Sequence, residues 1–461
     1  MLKIPDYVSD FMKVFKNKGF QIYLVGGAVR DLIIRKEIVW DFADFTTNAR
    51  PQEIVNLFSK TFYENQFGTV GVEWKDNPTS SLDELGTTLG ASKKRVFEVT
   101  TFRKESDYKD KRHPSYMEWA DTIEEDLGRR DFTINAVAYD GKNIIDPYNG
   151  QGDIQKKLIK SVGDPEKRFS EDALRLMRAI RFSSQLGFLI EDKTRESIKK
   201  NAKLIKNISA ERIRDELFKI IASDNPAEGI LFLRSTNIMD CILPEILECF
   251  DIPQKSPKRH HVYDVGTHLV MSLKHCPSKD TITRFAALLH DIGKAKTFRK
   301  DPKTKLITFY NHEIVGERIS EKIADRFKLS RLDKKKLITL VRQHQFTVSE
   351  EQSDKAIRRF IRNVGIGLIN DILDLRTGDR LGGGARETSW RLELFKKRLQ
   401  DVQKEPFSLS DLKINGNEVI KTLNLKPGKE IGKILNNLFD DVVAGKIKNN
   451  KKALLKKLKS F

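Results

Sequence analysis

Near Asp164 the hydrophobic pattern of this chain changes period, so one core does not account for both halves. Before that point, short runs suited to strands, IYLVGG, GTVGVEW, RVFEVTTF and INAVAYD, alternate with helical stretches and predict an α/β unit built on one sheet. After it, apolar residues recur at helical spacing, as in LRLMRAIRFSSQLGF and AALLHDIGKAKTF, with almost no strand candidates. The expected fold class is therefore α+β, an α/β head with one mixed sheet followed by an all-helical remainder. At 461 residues, about three or four domains are expected. Breaks are expected in residues 75–94, a loop inside the head, and near 252–261, 382–384 and 405–406.

The first twenty residues read as an amphipathic helix and lack the apolar stretch of a signal peptide. No run approaches the roughly 18 apolar residues of a membrane span, and a cytoplasmic protein is expected. Cys241, Cys249 and Cys276 show no CxxC spacing, which favours buried reduced thiols over a disulfide framework or a cysteine zinc site. Lys and Arg number 84 against 65 Asp and Glu, a net charge of +19 that suits a polyanionic partner, nucleic acid first. The last sixteen residues, KIKNNKKALLKKLKSF, hold seven lysines and no acid, which fits a solvated helix face or phosphate contact equally.

In the head, the strand Tyr23-Leu24-Val25 runs into Gly26-Gly27 and then a helix carrying Arg30. A glycine pair at such a turn lets backbone approach a phosphate, and the helix N-terminus offers it free N–H groups. Downstream, Asp41 and Asp44 lie among the aromatic strand formers of WDFADFTTNARP.

GGAVRDLII, the acidic stretch, DFTTNARPQEI, VTTFRKESDYKDKRHP, DLGRRDFTINAVAYD, VGDPEKRFSEDALRLMRAIRF and ISAERIRDEL, in this order, resemble the class II nucleotidyltransferases. These are the tRNA CCA-adding enzymes and bacterial poly(A) polymerases, and the resemblance spans essentially the whole chain. It implies untemplated transfer of CMP and AMP from CTP and ATP to the 3′-hydroxyl of tRNA, with Mg²⁺ held by carboxylates. The implied organisation is a head over 1–140, a helical neck for base recognition and RNA binding over 141–250, an HD domain over 251–385 and a tRNA-binding helical tail over 386–461.

The family's metal carboxylates are two apart on a strand and share a face; Asp41 and Asp44 are three apart. Three registers are open. Asp44 is the second carboxylate with Phe42 at the first position, or Asp41 is the first with Ala43 at the second, or a β-bulge returns Asp41 and Asp44 to one side. Glu98 is either a third carboxylate or a surface residue of its strand. The resemblance further implies that Gly26, Gly27, Arg30, Arg129, Arg130, Asp131, Asn135, Asp172, Arg175, Arg178 and Arg181 bind the nucleotide. Arg103 and Arg112 would belong to a loop that helps switch from C to A. Asp172 and Arg175, three apart, are expected on one face of a helix. There Asp172 accepts from the amine that cytosine and adenine share, and Arg175 donates to the adjacent ring nitrogen. Glu171 would orient Arg175.

Seven of the eight histidines fall between His260 and His344. His268, His290-Asp291, His312, His344 and Asp379 resemble the ligands of an HD-domain metal site. A first metal is expected on His268, His290, Asp291 and Asp379 and a second on His312 and His344, with hydrolysis of phosphate esters as the implied chemistry. Three rivals to CCA addition remain at this point. They are a poly(A) polymerase of the same superfamily, an HD phosphohydrolase with a degenerate head, and a non-catalytic tRNA-binding protein.

Overall fold

Val8, Phe11, Met12 and Phe15 recur at three- and four-residue spacing, and the helix formed over them, α1 (Asp6–Lys16), buries all four. Asp6 in its first turn and Lys13 and Lys16 in its last complement the helix dipole. In the computed structural model, residues 2–34, 40, 43–63, 68–75, 94–104, 118–254, 262–346, 348–403, 409–443 and 446–460 are described. Asp41, Phe42, Arg112 and the expected loop interior 76–93 lie outside them. The chain divides into two units, Met1–Pro244 and Glu245–Phe461.

The first unit is built on a seven-stranded sheet. Its strands are β1 (Ile22–Val25), β2 (Asp44–Thr47), β3 (Thr61–Tyr63), β4 (Thr69–Lys75), β5 (Lys94–Thr101), β6 (Ala138–Tyr139) and β7 (Ile144–Ile145). Their order is β3-β4-β5-β2-β1-β6-β7, and β2 and β5 are its one parallel pair, which makes the sheet mixed, as expected. Phe45, Val70, Val72, Phe97 and Val99 are buried beneath α1. The Phe11 ring lies 4.8 Å from Phe97, 5.0 Å from Phe45, 5.3 Å from Phe58 and 5.4 Å from Trp74, centroid to centroid. INAVAYD is strand only at Ala138–Tyr139. Thr133–Asn135 is a 3₁₀ turn instead, because Thr133 Oγ1 donates to Asp153 and Asn135 Nδ2 to Asp131, drawing the backbone out of extended form.

β1 ends at Gly26, whose φ of +69° suits glycine, and α2 (Gly27–Ile34) starts at the next residue. After α3 (Pro51–Leu57) and α4 (Ile123–Gly128), the unit continues in helices, among them α5 (Pro165–Glu171), α6 (Leu174–Leu186) and α7 (Ala210–Ile221). In the second unit, α8 (Val265–His275), α9 (Thr281–Leu289), α10 (His312–Arg326), α11 (Arg331–Gln343) and α12 (Ile369–Gly382) pack together. Asp264, Asp280 and Ser330 cap α8, α9 and α11 through their side chains. Further on, α13 (Gly416–Leu423), α14 (Lys429–Val443) and α15 (Lys451–Leu458) close over an apolar cluster that includes Val419, Leu438, Leu454 and Leu458. All three cysteines are free, and burial pushes the thiols of Cys249 and Cys276 up to about 12 and about 11. Among the described residues no helix is long and apolar enough to cross a membrane.

Because Phe11 sits at the centre of the aromatic cluster, Phe11→Ala is expected to cost the first unit about 3–5 kcal/mol. Thermal unfolding should show a lowered midpoint for Phe11→Ala and none for the exposed Lys13→Ala.

Candidate active site and a second polar centre

A cleft of about 710 Å³ opens at the junction of β1 with α2. Every expected nucleotide-binding residue lines it: Gly26, Gly27, Arg30, Arg129, Arg130, Asp131, Asn135, Asp172, Arg175, Arg178 and Arg181. Asp44, Glu98 and Arg103 line it as well. Asp44 opens β2 and pairs in register with Glu98 on the parallel β5, which aims both carboxylates into the cleft. Ala43, by contrast, is packed in the core. A Cβ on Gly26 would stand 3.7 Å from Asp44 Oδ2 and 3.4 Å from an Arg130 nitrogen, so the bare glycine keeps the approach to Asp44 open. Asp44 is open to the cleft but enclosed by its walls, and this desolvation raises its pKa against the opposing pull of Arg130.

The arginines are held from behind. Asp126, fully buried at the end of α4, accepts from Arg129 Nε at 2.9 Å, from Arg130 at 3.3 Å and from the Arg103 backbone N–H at 3.3 Å. Burial pushes its carboxyl up, and Arg129 and Arg130 more than reverse this, holding it below the usual range. Asp131 accepts from Arg178 Nε at 2.7 Å and from Asn135 at 3.2 Å, and Asn135 in turn accepts from Arg30 at 3.0 Å. Glu216 on α7 accepts from Arg181 at 2.6 Å. The Phe182 ring lies 4.0 Å from the Arg181 guanidinium and 5.4 Å from those of Arg30 and Arg178.

One expectation needs correction. Asp172 and Arg175 do not share a helix: α5 stops at Glu171, Asp172 is extended (φ −140°, ψ 107°), and α6 begins at Leu174. Asp172 breaks the helix because its Oδ1 accepts from the Leu174 N–H at 2.9 Å, offering the backbone a partner that a continuous helix would not. Its Oδ2 accepts from Arg212 of α7 at 3.1 Å. Both side chains still reach the same cleft. Arg175 donates to Glu171 at 2.6 Å, as expected of an orienting partner, and to the backbone carbonyls of Arg168 and Arg129.

Asp126, Arg212 and Glu216 went unassigned in the sequence. Asp126 carried a readable signal, since Arg129 and Arg130 follow it at i+3 and i+4.

In the second unit, all six residues expected at the HD site converge. His268, His290 and Asp379 form one group and Asp291, His312 and His344 another, each with ligand atoms within 4.8 Å of one another. Asp291 joins them: its Oδ2 lies 3.4 Å from His268 Nε2 and 3.3 Å from His290 Nε2, its Oδ1 3.2 Å from His312 Nε2 and 3.4 Å from His344 Nε2. The ring orientations come from the backbone. His290, His312 and His344 each set Nδ1 against the carbonyl three residues earlier, at 2.9, 2.8 and 2.7 Å. That contact sets the ring so that Nε2 faces inward, as a metal ligand requires. Gly293 makes the geometry possible, because a Cβ there would meet the His312 carbonyl oxygen at 2.0 Å. Burial raises the Asp291 and Asp379 carboxyls, but Lys294 and the histidines hold the first, and the histidines the second, well below the usual range. The donor set of imidazoles and ionised carboxylates thus fits a divalent transition metal. Beside it lies a cavity of about 450 Å³ that Lys294, Tyr310, Asn311, Gln345 and Arg376 help line.

Comparison with known proteins gives three family matches: the poly A polymerase head domain over residues 22–160, an RNA- and SrmB-binding region of polymerase A over 187–250, and tRNA nucleotidyltransferase domain 2 over 306–458. A CCA-adding enzyme of Ligilactobacillus salivarius is 31% identical over 99% of this chain and 98% of its own length. An A-adding tRNA nucleotidyltransferase of Deinococcus radiodurans is 32% identical over 70% of this chain and 76% of its own. The crystal structure of the Bacillus stearothermophilus CCA-adding enzyme in complex with CTP superposes with a TM-score of 0.71 at 24% identity, covering 99% of this chain and 98% of that one, so the fold is shared.

Removing Asp126 leaves two guanidiniums without their buried partner. Asp126→Ala is expected to destabilise the first unit by about 3–5 kcal/mol, whereas Asp10→Ala, which breaks the exposed pair with Lys13, should leave the melting midpoint essentially unchanged; thermal melts of the two variants side by side decide it.

Proposed function

This chain belongs to the family of CCA-adding enzymes, the tRNA nucleotidyltransferases, and from that premise we propose that it adds CCA to tRNA 3′ ends, taking CMP and AMP from CTP and ATP without a template. The observation that carries the reading is one cleft in which Asp44 and Glu98 share space with arginines anchored on Asp126, Asp131 and Glu216. With tRNA, CTP and ATP as substrates, the protein works in the cytoplasm.

Asp44, with Glu98 beside it and Asp41 as the sequence-based candidate, would hold Mg²⁺. An ion bound there would supply charge to lower the pKa of the attacking 3′-hydroxyl and to balance the triphosphate and departing pyrophosphate. The chain itself supplies the rest. The Gly26–Gly27 backbone and Arg30 meet phosphate oxygens at the start of α2, and Arg129 and Arg130 add charge at fixed positions. Asp172 accepts from the exocyclic amine of cytosine or adenine and Arg175 donates to the ring nitrogen beside it. Uracil and guanine present the reverse pattern and leave both groups unpaired, at about 1–3 kcal/mol each. Arg178 and Arg181 complete the wall, and Arg103 begins the segment proposed to aid the change from C to A.

The second centre favours an additional reading, a two-metal phosphohydrolase site of HD type. His268, His290 and Asp379 would hold one divalent ion, and Asp291, His312 and His344 the other. Such ions activate water for attack on phosphate esters.

Incubated with Mg²⁺, CTP, ATP and tRNA lacking its 3′ end, the protein should add C, C and A and then stop. Asp44→Ala should lower the rate by at least about a hundredfold; long A tracts, or no C, would refute CCA addition. For the second centre, elemental analysis after loading with Mn²⁺ or Co²⁺ should find about two tightly held ions, fewer in His290→Ala and His312→Ala. Hydrolysis of bis-p-nitrophenyl phosphate that survives His290→Ala would sink the hydrolase reading.

A further inference from the structure

A row of residues crosses the sheet from Asp44 to its outer edge. Asp44 on β2 pairs with Glu98 on β5, Glu98 with Gly71 on β4, and Gly71 with Phe62 on β3. Paired residues on adjacent strands project to the same face, so the four stand in line on the cleft side, opposite the core formed by Phe97, Val99, Val70 and Val72. At the end of this line Phe62 is 52% exposed, and Val96 nearby is 45% exposed. A Cβ on Gly71 would lie 3.6 Å from Val96 Cγ1 and 3.8 Å from Phe62 Cβ, so between Glu98 and Phe62 the floor is bare backbone edged by apolar side chains. Lys60 and Lys94 stand beside it, mostly exposed, and share one carboxylate, Glu73, at 3.7 and 3.8 Å. Two ammonium groups on one carboxylate leave a positive excess next to an exposed aromatic ring.

That pairing of chemistries is the one single-stranded nucleic acid uses: bases stack on rings while lysines meet the backbone. The distance agrees. Strands lie about 4.8 Å apart, so three steps put Phe62 about 14–15 Å from Asp44, a length that about four stacked nucleotides cover and fewer extended ones. We propose that this row is the track of the tRNA acceptor end: with the 3′-hydroxyl at Asp44, an unpaired base a few nucleotides behind it stacks on Phe62, and Lys60 and Lys94 face its phosphates. A stacking platform reads no base edge. It therefore suits an end whose terminal base changes with each addition.

The inference rests on the CCA-adding reading, and its test separates the two. Wild-type protein that incorporates no nucleotide refutes that reading. If the wild type is active, Phe62→Ala should raise KM for tRNA ending in CC, whose last three nucleotides are unpaired, about fivefold or more, leave KM for ATP within about twofold, and retain the wild-type melting temperature; Phe62→Trp should restore the tRNA KM. In parallel, tRNAs carrying 2-aminopurine at each of the last four positions in turn should include one whose fluorescence is quenched by wild type and by Phe62→Trp but not by Phe62→Ala. An unchanged KM for tRNA ending in CC in Phe62→Ala, an equal rise in the ATP KM, or quenching at no position would each overturn the proposal.

Discussion

The first unit depends on carboxylates buried behind arginines. Asp126 and Asp131 lie in surroundings where an isolated ionised carboxylate would be strongly disfavoured, and each stays charged because guanidiniums reach it. Replacing such a pair with apolar residues often costs nothing in stability, so stability alone does not account for it. Arginine's planar fork does: one edge is fixed by the buried carboxylate while another faces the cleft, and a flexible cation becomes a positioned one. The same bonds span the architecture. Asp131 follows α4 in the head and Arg178 stands on α6, so the cleft exists only when sheet and helices meet in one arrangement.

Much of this was legible in the chain. The α1 stripe, the strand running into Gly26-Gly27, the strand-bearing head and the later helices follow from periodicity and turn chemistry, which are local. What escaped was decided by side chains far apart in sequence. The strand expected across INAVAYD is shortened by the turn Thr133–Asn135, where Thr133 donates to Asp153, twenty residues on. The helix expected through EDALR is interrupted at Asp172, one of whose oxygens accepts from the Leu174 N–H and whose second meets Arg212, forty residues on. Glu216 has no pattern of its own; only the packing of α7 on α6 reveals its hold on Arg181. The six residues of the second centre were readable as a set because histidines are scarce and six ligand-type residues came in order, but that Asp291 stands between the two groups is a matter of geometry alone.

The two centres solve orientation differently. In the cleft, side chains orient side chains, through Asp126, Asp131, Glu171 and Glu216. In the second unit, backbone carbonyls orient three of the four imidazoles, two of which cap the ends of their helices. A carbonyl at a helix end lacks an intrahelical partner in any case. Using it to hold an imidazole satisfies the helix and sets the ring's orientation at once.

Arg175 carries one more consequence. Its guanidinium reaches Glu171 and the backbone carbonyl of Arg129, the residue whose side chain Asp126 holds at the cleft. Any ligand that claims the nitrogen bound to that carbonyl competes with a strut of the segment bearing Arg129 and Arg130. Thermodynamic linkage then runs both ways: whatever factor a base at Arg175 applies to the grip on phosphate, phosphate applies to the grip on the base. On the proposed roles, identity and charge would be sensed jointly in such a cleft, and a nucleoside without its phosphates would be a poor guide to how the nucleotide is chosen.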